Sequence, residues 1–338
     1  MNAVANYKVV TGKTSGPLSE LGGSNYEMER EALDPIGAEI VVLDASDEDA
    51  FIAQAQDADA IIGRGLKLTP KIIAGLRKCK IIAGFGVGYD YVDIPASTKA
   101  GIVVTNVPDV FIEEVADHAM TLLLACWRRL IEQDRIVREG RWPEGRLELS
   151  KHARLQGQAL GLIAFGNIAR LVAKRAKAFG LHILAYDPYI HEHHMHQCEV
   201  EPISDLIALL QRSDFVSMHT PLTPETKGML SDAHFRAMKS SAIFINTGRG
   251  PTVDEEALIR ALQDGQISYA GLDVFEVEPL PSDSPLIKLD NVIMSAHVAS
   301  ASSRMMPEAR RRAGREIAAV LSGRRPLSPV NPQVLLRV

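Results

Sequence analysis

The chain has 338 residues, of which 46% are hydrophobic and 23% charged, enough for two domains with full cores. Its net charge of −5 gives no electrostatic ground for a nucleic acid or an anionic membrane as partner. The three cysteines, Cys79, Cys126 and Cys198, build no disulfide framework and no C-x-x-C motif, as expected in a reducing cytoplasm. The start, MNAVANYKVVTGK, holds no apolar run ahead of a cleavage site, so it does not read as a signal peptide. The longest apolar stretch, AMTLLLACW, is too short to span a bilayer. A cytoplasmic protein is the expectation.

Short β-rich runs alternate with helical patterns from end to end, which argues for α/β architecture with parallel sheets. The first series is YKVVT, AEIVVL, DAIIG, KIIAGF and GIVVTN. Each is apolar on consecutive residues, as strands covered on both faces should be. One long helical pattern with a polar last part follows, EEVADHAMTLLLACWRRLIEQDRIVREGRW. From Ala159 six more runs appear: ALGLIAF, LHILAY, FVSMHT, AIFINT, SYAGLDV and NVIMSAH. Six strands with intervening helices make one complete doubly wound nucleotide domain. A last helix, MMPEARRRAGREIAAVLSG, ends at Gly323 and adds no strand. It is expected to return to the first domain.

The expected fold is therefore α/β, with two doubly wound parallel-sheet domains and a Rossmann cofactor domain inserted in a flavodoxin-like substrate domain. Residues 1–106 would open the substrate domain, 107–299 would form the Rossmann domain, and 300–338 would be the C-terminal return. Hinges are expected near Asn106–Pro108 and Ala299–Met305.

The stretch GLIAFGNIARLVAKRAKAFGLHILAYDP, from Gly161 to Pro188, reads as strand, tight turn, helix and strand. That is the outline of a dinucleotide-binding unit, with the pyrophosphate at the helix N-terminus. Lined up on G-x-G-x-x-G, however, the three positions hold Ala164, Gly166 and Ala169. Gly166, Asn167 and Ile168 would face the pyrophosphate. Asp187, about 20 residues on at the next strand end, can accept from a ribose diol and repels a 2′-phosphate. A purely structural strand-helix-strand unit is the alternative on this stretch alone.

Further on, INTGRGPTVDEEALIRAL places Arg249 between two glycines after a strand. An arginine so exposed suits a planar carboxylate or carbonyl, although a plain surface arginine is the simpler local reading. GLDVFEVEP offers Asp273, Glu276 and Glu278 beyond another strand, and MSAHVAS puts His297 at the end of the last. Polar residues gathered at the C-terminal ends of adjacent strands lie where open α/β sheets bind ligands.

These stretches, with GFGVGYDYVDI, VTNVPDVFIEEVADHAM, YDPY and HTPLTPET, make the chain resemble the D-isomer-specific 2-hydroxyacid dehydrogenases over nearly its whole length. Within that family it looks like the C-terminal-binding-protein-like branch. The resemblance implies a catalytic Arg249, Glu278 and His297, and a substrate carboxylate held by backbone N–H groups around Val87 and Gly88. It implies that Thr220, Pro221, Thr226, Thr247, Gly248 and Asp273 line NAD, and that Ser300 stands in the substrate pocket where the corepressors of that branch carry a tryptophan. His297 would exchange a proton with the C2 oxygen as hydride moves between C2 and nicotinamide. Glu278 would bond the other ring nitrogen, fixing the tautomer and stabilising the imidazolium. Arg249 would bind the carboxylate and polarise the carbonyl. The family region holding Met120, Leu123, Leu124 and Trp127 builds a dimer, so a homodimer is implied.

The implied function is an NAD-dependent reductase of small 2-oxo acids. The rivals are an NADP-preferring glyoxylate or hydroxypyruvate reductase and an NAD-sensing, corepressor-like binding protein. Among the departures from the family pattern, Ala164 matters most. Because the chain matches a working dehydrogenase elsewhere, Ala164 is expected to hold an allowed negative φ. The tract HEHHMHQC, with His191, His193, His194, His196 and Cys198, reads as a solvated loop and not a metal site. Arg310–Arg312 read as one face of an exposed helix.

Overall fold

The computed structural model describes residues 7–13, 25–63, 66–150 and 152–336. The first six residues, part of the stretch read above for a signal peptide, lie outside the described residues. The chain divides into two compact units, Met1–Val110 with Ser302–Val338, and Phe111–Ala301.

The first unit holds β1 (Tyr7–Gly12), β2 (Ala38–Leu43), β3 (Ala60–Ile62), β4 (Ile81–Ala83) and β5 (Val103–Thr105). They form an all-parallel sheet in the order β2-β1-β3-β4-β5. Its helices are α1 (Glu27–Leu33), α2 (Glu48–Ala55), α3 (Pro70–Gly75) and α4 (Ile94–Lys99). Successive strand residues point to opposite faces, and both faces are covered. Val10, Ile61, Ile82 and Val104 pack against Phe51 and Ile72, whereas Val9, Ile62 and Ile81 pack against Leu33 and Ile317. That explains the consecutive apolar runs. β2 departs from the expectation: at the sheet edge, Glu39 and Val42 are exposed among buried Ala38, Ile40 and Leu43.

The second unit begins with α5 (Ile112–Trp127), α6 (Leu130–Arg138) and α7 (Trp142–Leu149). The single long helix expected here is thus broken into three. The first break is at Arg129, which takes the left-handed region at φ 51° with its guanidinium 4.1 Å from the Tyr269 ring centroid. Then come β6 (Ala159–Ile163), α8 (Asn167–Ala178), β7 (His182–Tyr186), α9 (Glu192–Gln197), β8 (Glu201–Pro202) and α10 (Leu206–Arg212). The rest are β9 (Phe215–Met218), α11 (Asp232–Ala237), β10 (Ile243–Asn246), α12 (Glu255–Gln263), β11 (Tyr269–Leu272) and β12 (Val292–Met294). The sheet runs β12-β11-β10-β9-β6-β7-β8, seven strands against the expected six. The extra one, β8, is a Glu-Pro pair with no apolar run to betray it. The reversal of strand order beside β6 sets the switch point at which such sheets bind ligands. Met120 and Leu123 of α5 are buried in this unit's own core, with Leu124 and Trp127 packed against it.

The last helix, α13 (Met305–Leu321), belongs to the first unit and packs along α1. Arg310 is not on an exposed face: it is buried, and its guanidinium grips the fully buried Glu29 at 2.8 and 2.7 Å. A buried guanidinium requires such a bidentate partner. Its neighbours Arg311 and Arg312 pair with Glu31 and Asp109. Among the described residues, no helix is long and apolar enough to cross a membrane.

Candidate active site

The turn after β6 decides whether a dinucleotide can be held. Ala164 has φ 73°, the left-handed region, and not the negative φ expected of an alanine at this position. Two bonds hold the turn there: the Ala164 N–H donates to the Tyr186 carbonyl at 2.8 Å, and the Phe165 N–H donates to Asp187 Oδ2 at 2.8 Å. Asp187 Oδ1 accepts from the Tyr189 N–H at 2.9 Å. The candidate ribose acceptor therefore also clamps the turn. Left-handed alanine costs about 1–2 kcal/mol, so this turn stores strain.

Gly166 caps α8 with an extended backbone, φ −75° and ψ −166°, which any residue adopts. A Cβ built there meets nothing within 4 Å. Nothing in the protein crowds a side chain at 166, so the space in front of the helix is open to a ligand. No side chain caps α8, and first-turn N–H groups lack intrahelical partners. Asn167 and Ile168 occupy that first turn.

Thr220 and Thr247 follow β9 and β10. Both are buried, and neither hydroxyl has a hydrogen-bond partner. A buried unsatisfied hydroxyl costs about 1–3 kcal/mol, so both are suited to a polar ligand. With the open Gly166 cradle they fit a dinucleotide. Thr226 differs: its hydroxyl donates to the Pro221 carbonyl at 2.6 Å and accepts from the Thr223 N–H at 2.8 Å. Both Pro221 and Thr226 thus shape their own loop. Gly248 lies beside the Thr220 carbonyl, its N–H donating to Asn246 Oδ1 at 3.0 Å.

Three loops at strand C-termini bring the candidate catalytic groups together. His297 Nδ1 lies 2.6 Å from Glu278 Oε2, and the Phe275 N–H donates to Glu278 Oε1 at 3.0 Å. Burial alone would raise the Glu278 pKa. The His297 bond, the Phe275 N–H and the charges of His297 and Arg249 outweigh it and hold the carboxyl below its ordinary value. Arg249 sits in an extended backbone, with its carbonyl accepting from Thr252 Oγ1 at 2.6 Å and Asn246 Nδ2 at 3.2 Å. The arrangement offers a histidine with Nδ1 committed to a carboxylate, an arginine beside that carboxylate, and Nε2 left for substrate.

Asp273 is fully buried at the end of β11, and its carboxylate is taken by the protein itself. Oδ1 accepts from Ser295 Oγ at 2.6 Å and the Val298 N–H at 2.9 Å, and Oδ2 from the Ala299 N–H at 2.8 Å. These bonds make Asp273 a brace on the His297 loop. Ser300 lies in the turn closed by the Ala301 N–H on the Val298 carbonyl at 2.8 Å. In the first unit, the Val87 carbonyl accepts from Asn106 Nδ2 at 2.7 Å, and the adjoining Gly86 carbonyl from the Val107 N–H at 2.8 Å. That fixes the loop carrying Val87 and Gly88.

Several residues in this site went unread. Gly250 packs so closely that a Cβ would overlap the Phe275 carbonyl, which locks the Arg249 loop to the Glu278 loop. Glu255 accepts from the Glu276 N–H at 2.9 Å; its motif, VDEEALIRAL, was visible but not its target. His118, on α5, lies 2.8 Å from Ser295 Oγ. His219, in HTPLTPET, has its pKa pushed down by desolvation to about 4, so it is neutral near pH 7. The HEHHMHQC tract forms α9, not a loop, and no metal-ligating cluster occurs among the described residues.

Residues 120–299 match the family model described as D-isomer specific 2-hydroxyacid dehydrogenase, NAD binding domain. A glyoxylate reductase of Korarchaeum cryptofilum is 41% identical over 294 residues, covering 84% of this chain and 86% of that one. An NADPH-dependent glyoxylate/hydroxypyruvate reductase of Sinorhizobium meliloti, solved with NADP and malonate, is 33% identical with a TM-score of 0.82, and 96% of each chain is covered. The D-mandelate dehydrogenase of Rhodotorula graminis is 26% identical with a TM-score of 0.82, covering 96% of this chain and 98% of that one. The chain belongs to the D-isomer specific 2-hydroxyacid dehydrogenase family. It is thus an oxidoreductase class built around a nicotinamide cofactor and a 2-hydroxy acid.

Proposed function

We propose that the chain is an NAD-preferring D-2-hydroxyacid dehydrogenase working as a 2-oxoacid reductase. The observation that carries this is the 2.6 Å contact between His297 and Glu278, beside Arg249. Bound nicotinamide supplies or accepts the hydride at C2. His297 Nε2 exchanges a proton with the C2 oxygen, which suits a histidine held in one tautomer by a carboxylate. Glu278 aims the ring. Arg249 pairs with the substrate carboxylate and stabilises charge on the carbonyl oxygen. The part given to Val87, Gly88 and Ser300 rests on the resemblance.

The preference for NAD rests on Asp187. Its repulsion of a 2′-phosphate should amount to about 1 kcal/mol or more at close range, even with screening. The Sinorhizobium relative is NADPH-dependent by its description, which makes the NADP alternative a live comparison. A homodimer is supported by Leu130, Ile131, Val137, Trp142 and Leu147, all exposed on α6 and α7. A reducing cytoplasm suits Cys79, Cys126 and Cys198, all free.

The test is steady-state reduction of glyoxylate, hydroxypyruvate, pyruvate and a phenyl-substituted 2-oxo acid with NADH and NADPH. Turnover of at least one acid, with higher kcat/KM for NADH, is expected. No turnover of any would favour the corepressor-like reading, and equal or better use of NADPH would overturn the Asp187 argument.

A further inference from the structure

We infer that His118 and Ser295 are positioning residues for His297, acting through Asp273. The starting point is the backbone of His297, which lies in the left-handed region at φ 51°. A residue with a Cβ does not stay there unless its surroundings hold it. Three hydrogen bonds to one residue do so. The His297 N–H donates to the Asp273 carbonyl at 2.9 Å, the Val298 N–H to Oδ1 at 2.9 Å, and the Ala299 N–H to Oδ2 at 2.8 Å.

Everything then depends on how the Asp273 carboxylate is turned. It is fully buried, where an under-bonded carboxylate is costly. Ser295 Oγ supplies the remaining donor at 2.6 Å. That uses the one proton of the hydroxyl, so at the 2.8 Å contact with His118 the serine can only accept. His118 must carry its proton on Nε2. The same Nε2 lies 3.5 Å from Asp273 Oδ1, at the limit for a direct bond, so its influence passes through Ser295. A chain of donors thus runs from α5 through the end of β12 to the end of β11. It fixes the carboxylate that fixes the turn, and the turn places the ring against Glu278. Without His118, Ser295 is free to rotate its hydroxyl, and Asp273 loses a determinate partner.

The kinetic arm of the test rests on the acid–base role proposed for His297; the exchange arm does not. In the cofactor-bound protein, His118→Ala and Ser295→Ala should each speed amide exchange at Val298 and Ala299 by about tenfold or more, the scale of one charge-assisted hydrogen bond. Each should lower kcat by about tenfold, with KM for NADH unchanged, and the double variant should be no worse than either, since the two residues act in series. His118→Gln, whose amide can donate to Ser295, should recover most of both losses, which a general loss of packing would not allow. Unchanged exchange in the alanine variants, additive losses, or a glutamine variant no better than alanine would each overturn the proposal. If His118→Ala does not fold, Ser295→Ala and His118→Gln decide it. A wild-type chain inactive on every acid would defeat the functional reading alone, because the exchange result would still stand or fall by itself.

Discussion

Ala164 and His297 are both non-glycine residues in the left-handed region, at φ 73° and 51°, yet they are held in opposite ways. His297 sits in a turn braced by a buried carboxylate with donors from α5 and β12. Ala164 sits in a turn held by one carbonyl and by the half-buried Asp187. The first is strain that aims a ring at Glu278. The second has no functional reward in the structure: a glycine would take the same conformation without the steric cost. Similar dihedral angles therefore carry different meanings, and the surrounding hydrogen bonds tell them apart.

The sharpest way to break that contrast is at the catalytic turn. His297→Ala should lower kcat by about 10² or more, the usual scale of a lost general acid–base. Near-normal turnover with chemistry rate-limiting would remove His297 from the mechanism. Glu278→Gln should lower kcat as well and change the pH profile of kcat/KM. The Glu278 carboxyl is held below its ordinary value of 4.5, so its stabilising contribution is present above that value and is lost as pH falls through the depressed one. The stability gap between wild type and Glu278→Gln should narrow as pH falls below about 4.5. A gap that stays constant through that range would show that the carboxylate does not stabilise the fold.

Gly250→Ala tests how the loops are joined. The added methyl would overlap the Phe275 carbonyl, which is backbone and has little room to move. Overpacking of this kind costs about 1–3 kcal/mol. Both stability and kcat should fall, because the Arg249 and Glu278 loops must separate. Loss of stability with kcat intact would mean the loops part without disturbing the catalytic groups.

How far these features were legible depends on range. Consecutive apolar runs gave away the parallel strands, because burial on both faces leaves no polar side to show. β8 escaped, being a two-residue edge strand of Glu201 and Pro202 with nothing to bury. The break after Trp127 escaped because Arg129 stops the helix by stacking on Tyr269, 140 positions away. Arg310 looked like surface because its partner Glu29 lies 281 residues upstream. Local motifs placed Arg249, Glu278 and His297 at strand ends. They could not show that Asp273 turns its carboxylate to Val298 and Ala299, since a hydrogen-bond direction has no sequence signature.

Gly166→Val sharpens the comparison from the ligand side. The free protein has open space at that Cβ, so thermal stability should change by less than about 1 kcal/mol, the small effect expected of a substitution without a clash. NADH affinity should fall by more than tenfold, equivalent to about 1.4 kcal/mol, because the branched side chain takes the pyrophosphate's place. Fluorescence titration with NADH and a thermal melt separate the two. Unchanged affinity would mean that the pyrophosphate does not lie at α8.

Ala164→Gly carries the smallest expected effect and reads the strain directly. Relief of a left-handed alanine is worth about 1–2 kcal/mol, and the extra backbone freedom of glycine in the unfolded chain offsets about 0.4–1 kcal/mol of that. The net gain should be about 0.5–1 kcal/mol, a rise of roughly 1–4 °C for a unit of this size. Affinity for NADH is a separate matter. If the turn keeps its shape on binding, the strain is present in both states and cancels, so Kd should change by less than about threefold. A drop in melting temperature would show that the turn holds alanine without strain. A large gain in affinity would show that binding must deform it, and that Ala164 limits how well this chain takes up its cofactor.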